Sequence, residues 1–269
     1  MLMLSNTVFL FLKDALPVFL LCSLLLSMTR YSQIKYPLST IRLFVTITFG
    51  VIVAAILSAF TQQISALIDG RGYELLSILL LFMSYLLFLI LTKYLNQDLK
   101  FNLNIMQYLI ALILVSNGID FLVYLQGYWL ITGATQAIAI GIVIGLGICS
   151  SLAIILFFLV DLLAVNKQRT MAWTIMLFFS AGQLLQVSQL LNQIDLLANS
   201  PAVFSINTVI ADDSALGYFL NSFIGYTSSP TFIELSIFIG ALILPFIINR
   251  HNTKRPSNLV QANSVKESL

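Results

Sequence analysis

The sequence predicts an all-α, polytopic membrane protein with seven spanning helices. Its 269 residues are 59% hydrophobic and 9% charged, and the mean hydropathy is +0.98. Soluble domains, in contrast, are about half apolar and about a quarter charged. The apolar residues also form stretches of the roughly 20 residues that a helix needs to cross a bilayer. These stretches lie near residues 7–28, 41–64, 73–95, 105–128, 134–163, 171–191 and 231–249.

The basic residues predict the orientation of these spans. Eleven of the 13 Lys and Arg residues lie in or beside every second loop and in the carboxy-terminal tail, whereas Arg71 lies in a loop on the other side. Because cytoplasmic loops are enriched in Lys and Arg, we expect the amino terminus outside and the carboxy terminus in the cytoplasm. This dependence on topology also means that the net charge of +2 does not predict a nucleic-acid partner.

No linker separates the spans, so residues 1–250 are predicted to form one membrane domain. Residues 251–269 are polar and lack apolar periodicity, which predicts a disordered cytoplasmic tail. The long outer connection, 192–230, contains a helix-start pattern that ends in Ser214 and an apolar run that ends at Gly225. This pattern predicts a short helix that lies at the outer membrane interface.

The first span contains Lys13 and Asp14, which argue against a cleaved signal peptide, because the apolar core of a signal is normally uncharged. Two interpretations of the pair remain open. The Lys13 side chain can snorkel to the outer headgroups, or the pair can belong to a functional site, since ionisable groups at membrane depth are costly. In the second case we expect Lys13 to pair with Asp14 or with Asp120.

The fourth span carries Asp120, with Asn117 one turn before it, and a buried polar role is expected for this acid. In the fifth span, Gly141 and Gly145 predict close helix packing. Glutamines recur at helical spacing in the sixth span, where they either join helices or line a hydrated path. They are Gln183, Gln186, Gln189 and Gln193. Pro245, in the seventh span, predicts a kink or a helix terminus.

Spans one to three and four to six can be read as two triplets of opposite orientation, followed by a last helix. Each triplet begins with the span that carries an interior acid. Transporters built from inverted repeats place their site where the corresponding helices meet near the bilayer midplane. We therefore expect Asp14 and Asp120 to face each other.

Residues 11–17, Phe-Leu-Lys-Asp-Ala-Leu-Pro, are followed by an apolar run and resemble the Arg-Glu-x-x-Glu signature of the oxidase-dependent ferric iron permease family. Residues 116–120, Ser-Asn-Gly-Ile-Asp, stand where the family has its second copy. The four glutamate positions of the two signatures hold Asp14, Pro17, Asn117 and Asp120. Ferric iron prefers such hard oxygen ligands.

The resemblance extends along residues 5–250 through the order of several further features. They are the glycine-rich stretch 139–147, the basic turn 166–170, the stretch 179–182 and the Gly-Tyr-x-x-x-Pro stretch 225–230. The chain departs from the family in the sixth span, where Gln189 and Leu190 stand in place of the expected His and Glu.

The resemblance implies a permease for ferric iron, or for another hard metal cation, in the inner (plasma) membrane of a bacterium. Asp14 and Asp120 are its implied metal ligands, Lys13 a partner of these acids, and Asn117 an additional lining residue, with weaker expectations for Gln186 and Gln189. Iron is then the transported ion and not a resident cofactor, and a periplasmic or surface iron oxidase or peroxidase is an implied partner. The oligomeric state stays open.

An alternative follows from the loss of half of the signature acids: a family member that no longer transports and acts as an assembly or regulatory subunit. An enzyme is not expected, because the spans contain no Ser/His pair, His-Glu-x-x-His motif or paired aspartates. Cys22 and Cys149 lie far apart in sequence and predict neither a disulfide framework nor a thiolate metal site.

Overall fold

A computed structural model describes residues 2–31, 40–94, 99–129, 134–165, 169–197 and 200–252 of the chain. The predicted disordered tail lies outside these residues, except for the last two residues of the final helix. The elements in order are α1 (Leu2–Leu10), a π-helical turn (Phe11–Ala15), α2 (Leu16–Tyr31), α3 (Thr40–Ala59), α4 (Thr61–Ser65), α5 (Gly72–Tyr94), α6 (Leu99–Trp129), α7 (Ala134–Val165), α8 (Arg169–Gln193), α9 (Ala215–Ile224) and α10 (Phe232–Asn252).

This architecture confirms the all-α, polytopic membrane class. Within the described residues, six helical stretches are long and apolar enough to cross a bilayer. They are Asn6–Ser27, Ile41–Ala59, Gly72–Thr92, Leu103–Gly127, Gln136–Leu162 and Trp173–Gln193. The predicted seventh span corresponds to α10, whose apolar part, Phe232–Ile248, is shorter than these six. The predicted second span is divided, because α3 ends at Ala59 and the short α4 follows it.

The first span is continuous through the π-helical turn, and Pro17 explains the change of helix type. The N–H of Leu16 donates to the carbonyl of Phe11, five residues back. The carbonyl of Leu12 would accept from residue 17 in the same pattern, but proline has no N–H. The Ser222 hydroxyl of α9 donates to the Leu12 carbonyl at 2.7 Å and thereby satisfies it.

A second proline lies inside α10 and has a similar consequence. Pro245 is within the helix, which continues to Asn252, so the alternative of a helix terminus at this proline is wrong. Because Pro245 lacks an N–H, the carbonyl of Ala241 loses its helical donor. The Tyr85 hydroxyl of α5 donates to that carbonyl at 2.9 Å. Both prolines are therefore accommodated by a hydroxyl from another helix, as is common in membrane proteins.

Several neighbour relations of the helices match those expected of an inverted repeat. The match is partial, because α7 packs on α8 whereas the corresponding contact between α3 and α5 is at most marginal among the described residues. The second span, α3, packs along the fourth, α6, and correspondingly the fifth, α7, packs along the first, α1–α2. Two further contacts join corresponding helices of the two triplets, so exchanging the triplets leaves them unchanged. They are the contact of α5 with α8 and the contact of the first span with α6. The α5–α6 contact has a smaller counterpart between α8 and α2, where α9 packs against α8 and the π-helical turn.

The helix predicted in the long connection is present as α9. Ser214 caps its first turn by accepting from the N–H of Gly217 at 2.9 Å, and Gly225 ends it in the left-handed conformation, with φ of 70°. The helix packs against α8, where a Cβ on Gly182 would come within 2.5 Å of the Ile224 carbonyl carbon. Its position at a membrane interface stays a prediction, but α9 is clearly part of the helical bundle.

The segments beside α9 are fixed by half-buried polar contacts. Asp212 accepts from the N–H of Ser228 at 2.7 Å and from its hydroxyl at 2.6 Å. The Tyr226 hydroxyl donates to the Ile210 carbonyl at 2.9 Å. Desolvation and the nearby Asp212 carboxylate raise the pKa of Tyr226, so its hydroxyl remains a donor near neutral pH. These contacts join the segment before α9 to the segment after it.

Candidate functional site

A polar cavity of about 360 Å³ opens into the bundle near α9 and is lined by α1, the π-helical turn, α5, α6, α8 and α9. We call it the acidic cavity. All six site residues predicted from the sequence line it: Lys13, Asp14, Asn117, Asp120, Gln186 and Gln189. The other lining residues are Leu10, Tyr73, Glu74, Ser77, Leu81, Ser116, Leu190, Gln193 and Asn221.

Asp14 is the most deeply buried acid of this cavity. Its side chain is 3% exposed, and its Oδ2 atom is buried without a hydrogen-bond partner. The neighbouring Lys13 is exposed, and its charge acts on the carboxyl groups of both Asp14 and Asp120. Among the described residues the structure records no direct salt bridge from Lys13 to either acid. The three groups therefore share an electrostatic field without a short ion pair.

Asp120 lies across the acidic cavity on α6. The expected burial of Asp120 is wrong, because α6 turns this side chain towards the cavity, where it is exposed. The Tyr73 hydroxyl of α5 donates to its Oδ1 atom. Asn117, one turn earlier, is 8% exposed, and its amide donates to the Ile113 carbonyl at 2.8 Å. Asp14 and Asp120 thus meet in one cavity, and their charges act on each other.

Glu74 is a third acid of the cavity that the sequence analysis did not select. It lies in the first turn of α5, and its Oε2 atom is buried without a hydrogen-bond partner. With Lys13, Asp14, Glu74 and Asp120 all ionised, the cavity carries a formal charge of −2. The sequence feature that could have indicated Glu74 is its position at the start of an apolar span, directly after the aromatic Tyr73 and four residues before Ile78. Such a pattern is also typical of an ordinary interfacial residue.

The glutamines of α8 divide between the acidic cavity and a deeper void. Gln186, Gln189 and Gln193 line the cavity, and the Nε2 atom of Gln189 is buried without a partner. Gln183 is 1% exposed and borders a void of about 10 Å³, the volume of roughly one water probe. Both of its amide atoms lack partners. Within the described residues, Gln183 and Gln189 make no hydrogen bonds to neighbouring helices through these atoms.

A second cavity, of about 440 Å³, lies between α2, α3 and α6, and we call it the apolar cavity. Asp14 and Asn117 contribute to the lining of both cavities. The other residues around the apolar cavity are Ala15, Val18, Phe19, Cys22, Leu43, Ile47, Val51, Ala54, Leu114, Gly118, Phe121 and Leu122.

The acids are distributed around the acidic cavity and do not converge on one point. Within the part of the chain that the structure describes, no group of three or more His, Cys, Asp or Glu side chains is placed to hold a metal ion. Glu234, the acid at the start of α10, has a structural role, because it accepts from the N–H of Thr231 at 2.8 Å in a capping box. Because the acids of the acidic cavity do not converge on one point, a cation bound there would keep part of its water shell.

Comparison of the chain with protein families, with curated proteins and with solved structures finds no match.

Proposed function

We propose that this protein is a membrane permease for a hard metal cation, with ferric iron as the ion that the family resemblance implies. The observation that carries the proposal is the acidic cavity, in which Asp14, Glu74 and Asp120 are placed on three different helical elements around one space. Carboxylate and amide oxygens are the ligands that hard cations prefer.

The charge of the acidic cavity supports cation entry. With its acids ionised the cavity has a formal charge of −2, and a negatively charged cleft with low-dielectric walls concentrates cations from solution. The two carboxylate oxygens without partners, on Asp14 and Glu74, are acceptors that a hydrated cation can satisfy. Because the acids are spread around the cavity, we expect them to bind a cation weakly and at several points. Weak binding suits transport, since a transport site must release its ion as well as bind it.

Lys13 sets the net charge of this site. Its ammonium charge acts on both aspartates and lowers the net negative charge that a cation meets. With the amino terminus outside, the acidic cavity would face the outer solution and the ion would move inward. A surface oxidase or peroxidase that delivers ferric iron to this opening is the partner that the resemblance implies.

The test is cation uptake by the purified protein in liposomes. We expect uptake of ferric citrate, ferrous iron or manganese that is lost in the double variant Asp14→Asn/Asp120→Asn. Asp213→Asn is the matched control, because Asp213 is an exposed acid outside the acidic cavity. Equal uptake by the double variant and the control would refute the site.

The second candidate function is a subunit that binds a partner protein and does not transport. The lack of a converging group of acids in the described residues motivates it. It predicts that the wild-type protein neither binds nor transports any of the three ions, and that it copurifies with another membrane protein from its native host.

A further inference from the structure

Four helices form a closed ring in the middle of the bundle. In order around the ring, α2 contacts α6, α6 contacts α5, α5 contacts α8, and α8 contacts α2. Among the described residues, contact across the ring, between α2 and α5 or between α6 and α8, is at most marginal. The other two long apolar helices, α3 and α7, pack mainly on α6 and α2, and only 17% of the apolar window of each is buried. We call α2, α5, α6 and α8 the central ring.

The acidic cavity lies at one end of the central ring, and the void of about 10 Å³ beside Gln183 lies deeper between the same helices. The lining residues shift in the same direction on each helix: from 73–81 to 84–88 on α5, from 116–120 to 109–113 on α6, and from 186–193 to 176–183 on α8. At 1.5 Å per residue, Gln183 lies about 15 Å along α8 from Gln193. The two spaces therefore follow each other along the axis of the ring.

An apolar side chain from each helix of the central ring borders this void. The four residues, which we call the apolar layer, are Leu21, Phe88, Leu109 and Phe179. None of them is more than 2% exposed, and all four belong to one continuous buried cluster. Corresponding helices of the two triplets contribute the same residue type, which is leucine from α2 and α6 and phenylalanine from α5 and α8. Phe179 lies about 21 Å along α8 from Gln193, which is more than half of the roughly 30 Å hydrocarbon core of a bilayer.

We propose that the axis of the central ring is the path of the cation and that the apolar layer is its closed gate. An ion at this layer meets hydrocarbon in place of water, and hydrophobic constrictions close pores in this way. The hydroxyls of Ser84 and Ser180 border the same void, but they donate to carbonyls of their own helices at 2.7 and 2.9 Å. Gln183, between the acidic cavity and the layer, has both amide atoms free to meet an ion when the layer opens.

This inference rests on the proposed permease function and deepens it, because it names the route that the ion takes beyond the acidic cavity. With the amino terminus outside, the apolar layer stands on the cytoplasmic side of that cavity. The structure is then open to the outer solution and closed towards the cytoplasm, and transport requires the four helices to separate at the layer.

The experiment measures entry of thallous ion into liposomes that hold the full chain, followed by quenching of an entrapped fluorescent dye. The wild-type protein should admit the ion slowly, because the apolar layer is closed. Leu21→Ala should admit it at least ten times faster. Leu20→Ala is the matched control, because Leu20 is also 0% exposed on α2 but does not border the void, and it should behave like wild type.

Two further variants test the route. Phe88→Ala/Phe179→Ala, which shortens two side chains of the apolar layer, should leak faster than Leu21→Ala. Adding Asp14→Asn/Asp120→Asn to Leu21→Ala should slow the leak, because the ions reach the layer through the acidic cavity. If the double phenylalanine variant does not fold, the Leu21→Ala and Leu20→Ala pair still decides the question.

Equal entry rates in Leu21→Ala and Leu20→Ala would overturn the proposal. Fast entry in both would show a general loosening of the bundle, and slow entry in both would show that the ring axis does not conduct. A leak that does not depend on the two aspartates would place the route outside the acidic cavity.

Metal uptake by the wild-type protein separates this proposal from the permease function. Uptake of ferric citrate without a leak in Leu21→Ala would contradict the gate and leave the permease function intact. A leak in Leu21→Ala that the two aspartates control, without metal uptake by the wild type, would support the path and contradict the metal permease.

Discussion

Removing the hydroxyl of Ser222 should destabilise the protein through the π-helical turn. This hydroxyl is in a side chain that is 1% exposed, and it donates to the Leu12 carbonyl at 2.7 Å. The Leu16 N–H is already bonded to Phe11, and Pro17 has no N–H to offer. The Ser222→Ala variant would therefore leave a buried carbonyl without a donor.

The magnitude follows from the environment of that carbonyl. An unsatisfied buried acceptor costs about 1–3 kcal/mol in soluble proteins, whereas hydrogen bonds between transmembrane helices average about 0.6 kcal/mol. We expect Ser222→Ala to lower the free energy of unfolding by about 1 kcal/mol. The assay is reversible unfolding in mixed micelles, followed by circular dichroism as the denaturing detergent is increased.

Two controls isolate the proline as the cause. Ser188, also 1% exposed, donates at 2.8 Å to Leu185 of its own helix, so Ser188→Ala removes a bond that the helix does not need and should cost about half as much or less. In a Pro17→Ala background the restored N–H can serve the Leu12 carbonyl, and the cost of Ser222→Ala should fall. An equal cost in both backgrounds would refute the reasoning.

Three further predictions concern other parts of the bundle. Tyr85→Phe should lower the free energy of unfolding by about 1 kcal/mol, since it leaves the Ala241 carbonyl without a donor. In a Pro245→Ala background the same substitution should no longer lower it in the same unfolding assay, and a loss of stability that persists would contradict this explanation. Gln183→Leu should preserve the free energy of unfolding, because both amide atoms of Gln183 lack partners. It should slow cation uptake in liposomes without changing cation affinity, and unchanged uptake would show that Gln183 does not line the path of the cation. Gly225→Ala should lower the thermal midpoint, because the residue has φ of 70° and its Cβ would lie 2.8 Å from a backbone oxygen, and an unchanged midpoint in circular dichroism would count against this strain.

Much of the fold was predictable because membrane-spanning helices are encoded locally. Whether a run of apolar residues is long enough to cross a bilayer can be read directly from the sequence, and this criterion located the spans. The cap residues Ser214 and Gly225 likewise predicted the ends of α9 correctly. The paired acids were also detectable, because charges inside an apolar run are conspicuous, and the structure places Asp14 and Asp120 in one cavity.

The rest depends on how distant segments pack. Glu74 resembles an ordinary interfacial acid until α5 is placed between α6 and α8, and the same packing brings Tyr73 to Asp120. The exposure of Asp120 depends on which face of α6 meets the cavity. No local pattern connects Ser222 to the first span, because a hydroxyl can serve any carbonyl that the fold brings near it.

The two prolines have an evolutionary consequence. Each leaves a carbonyl without its helical donor, and a hydroxyl on a helix remote in sequence donates to that carbonyl instead: Ser222 to Leu12 for Pro17, and Tyr85 to Ala241 for Pro245. A lineage that loses the proline regains a backbone donor and no longer needs the hydroxyl, whereas a lineage that keeps the proline does. Substitutions at the two members of each pair should therefore be correlated among relatives, although the hydrogen bond that connects them ends on the carbonyl of a third residue.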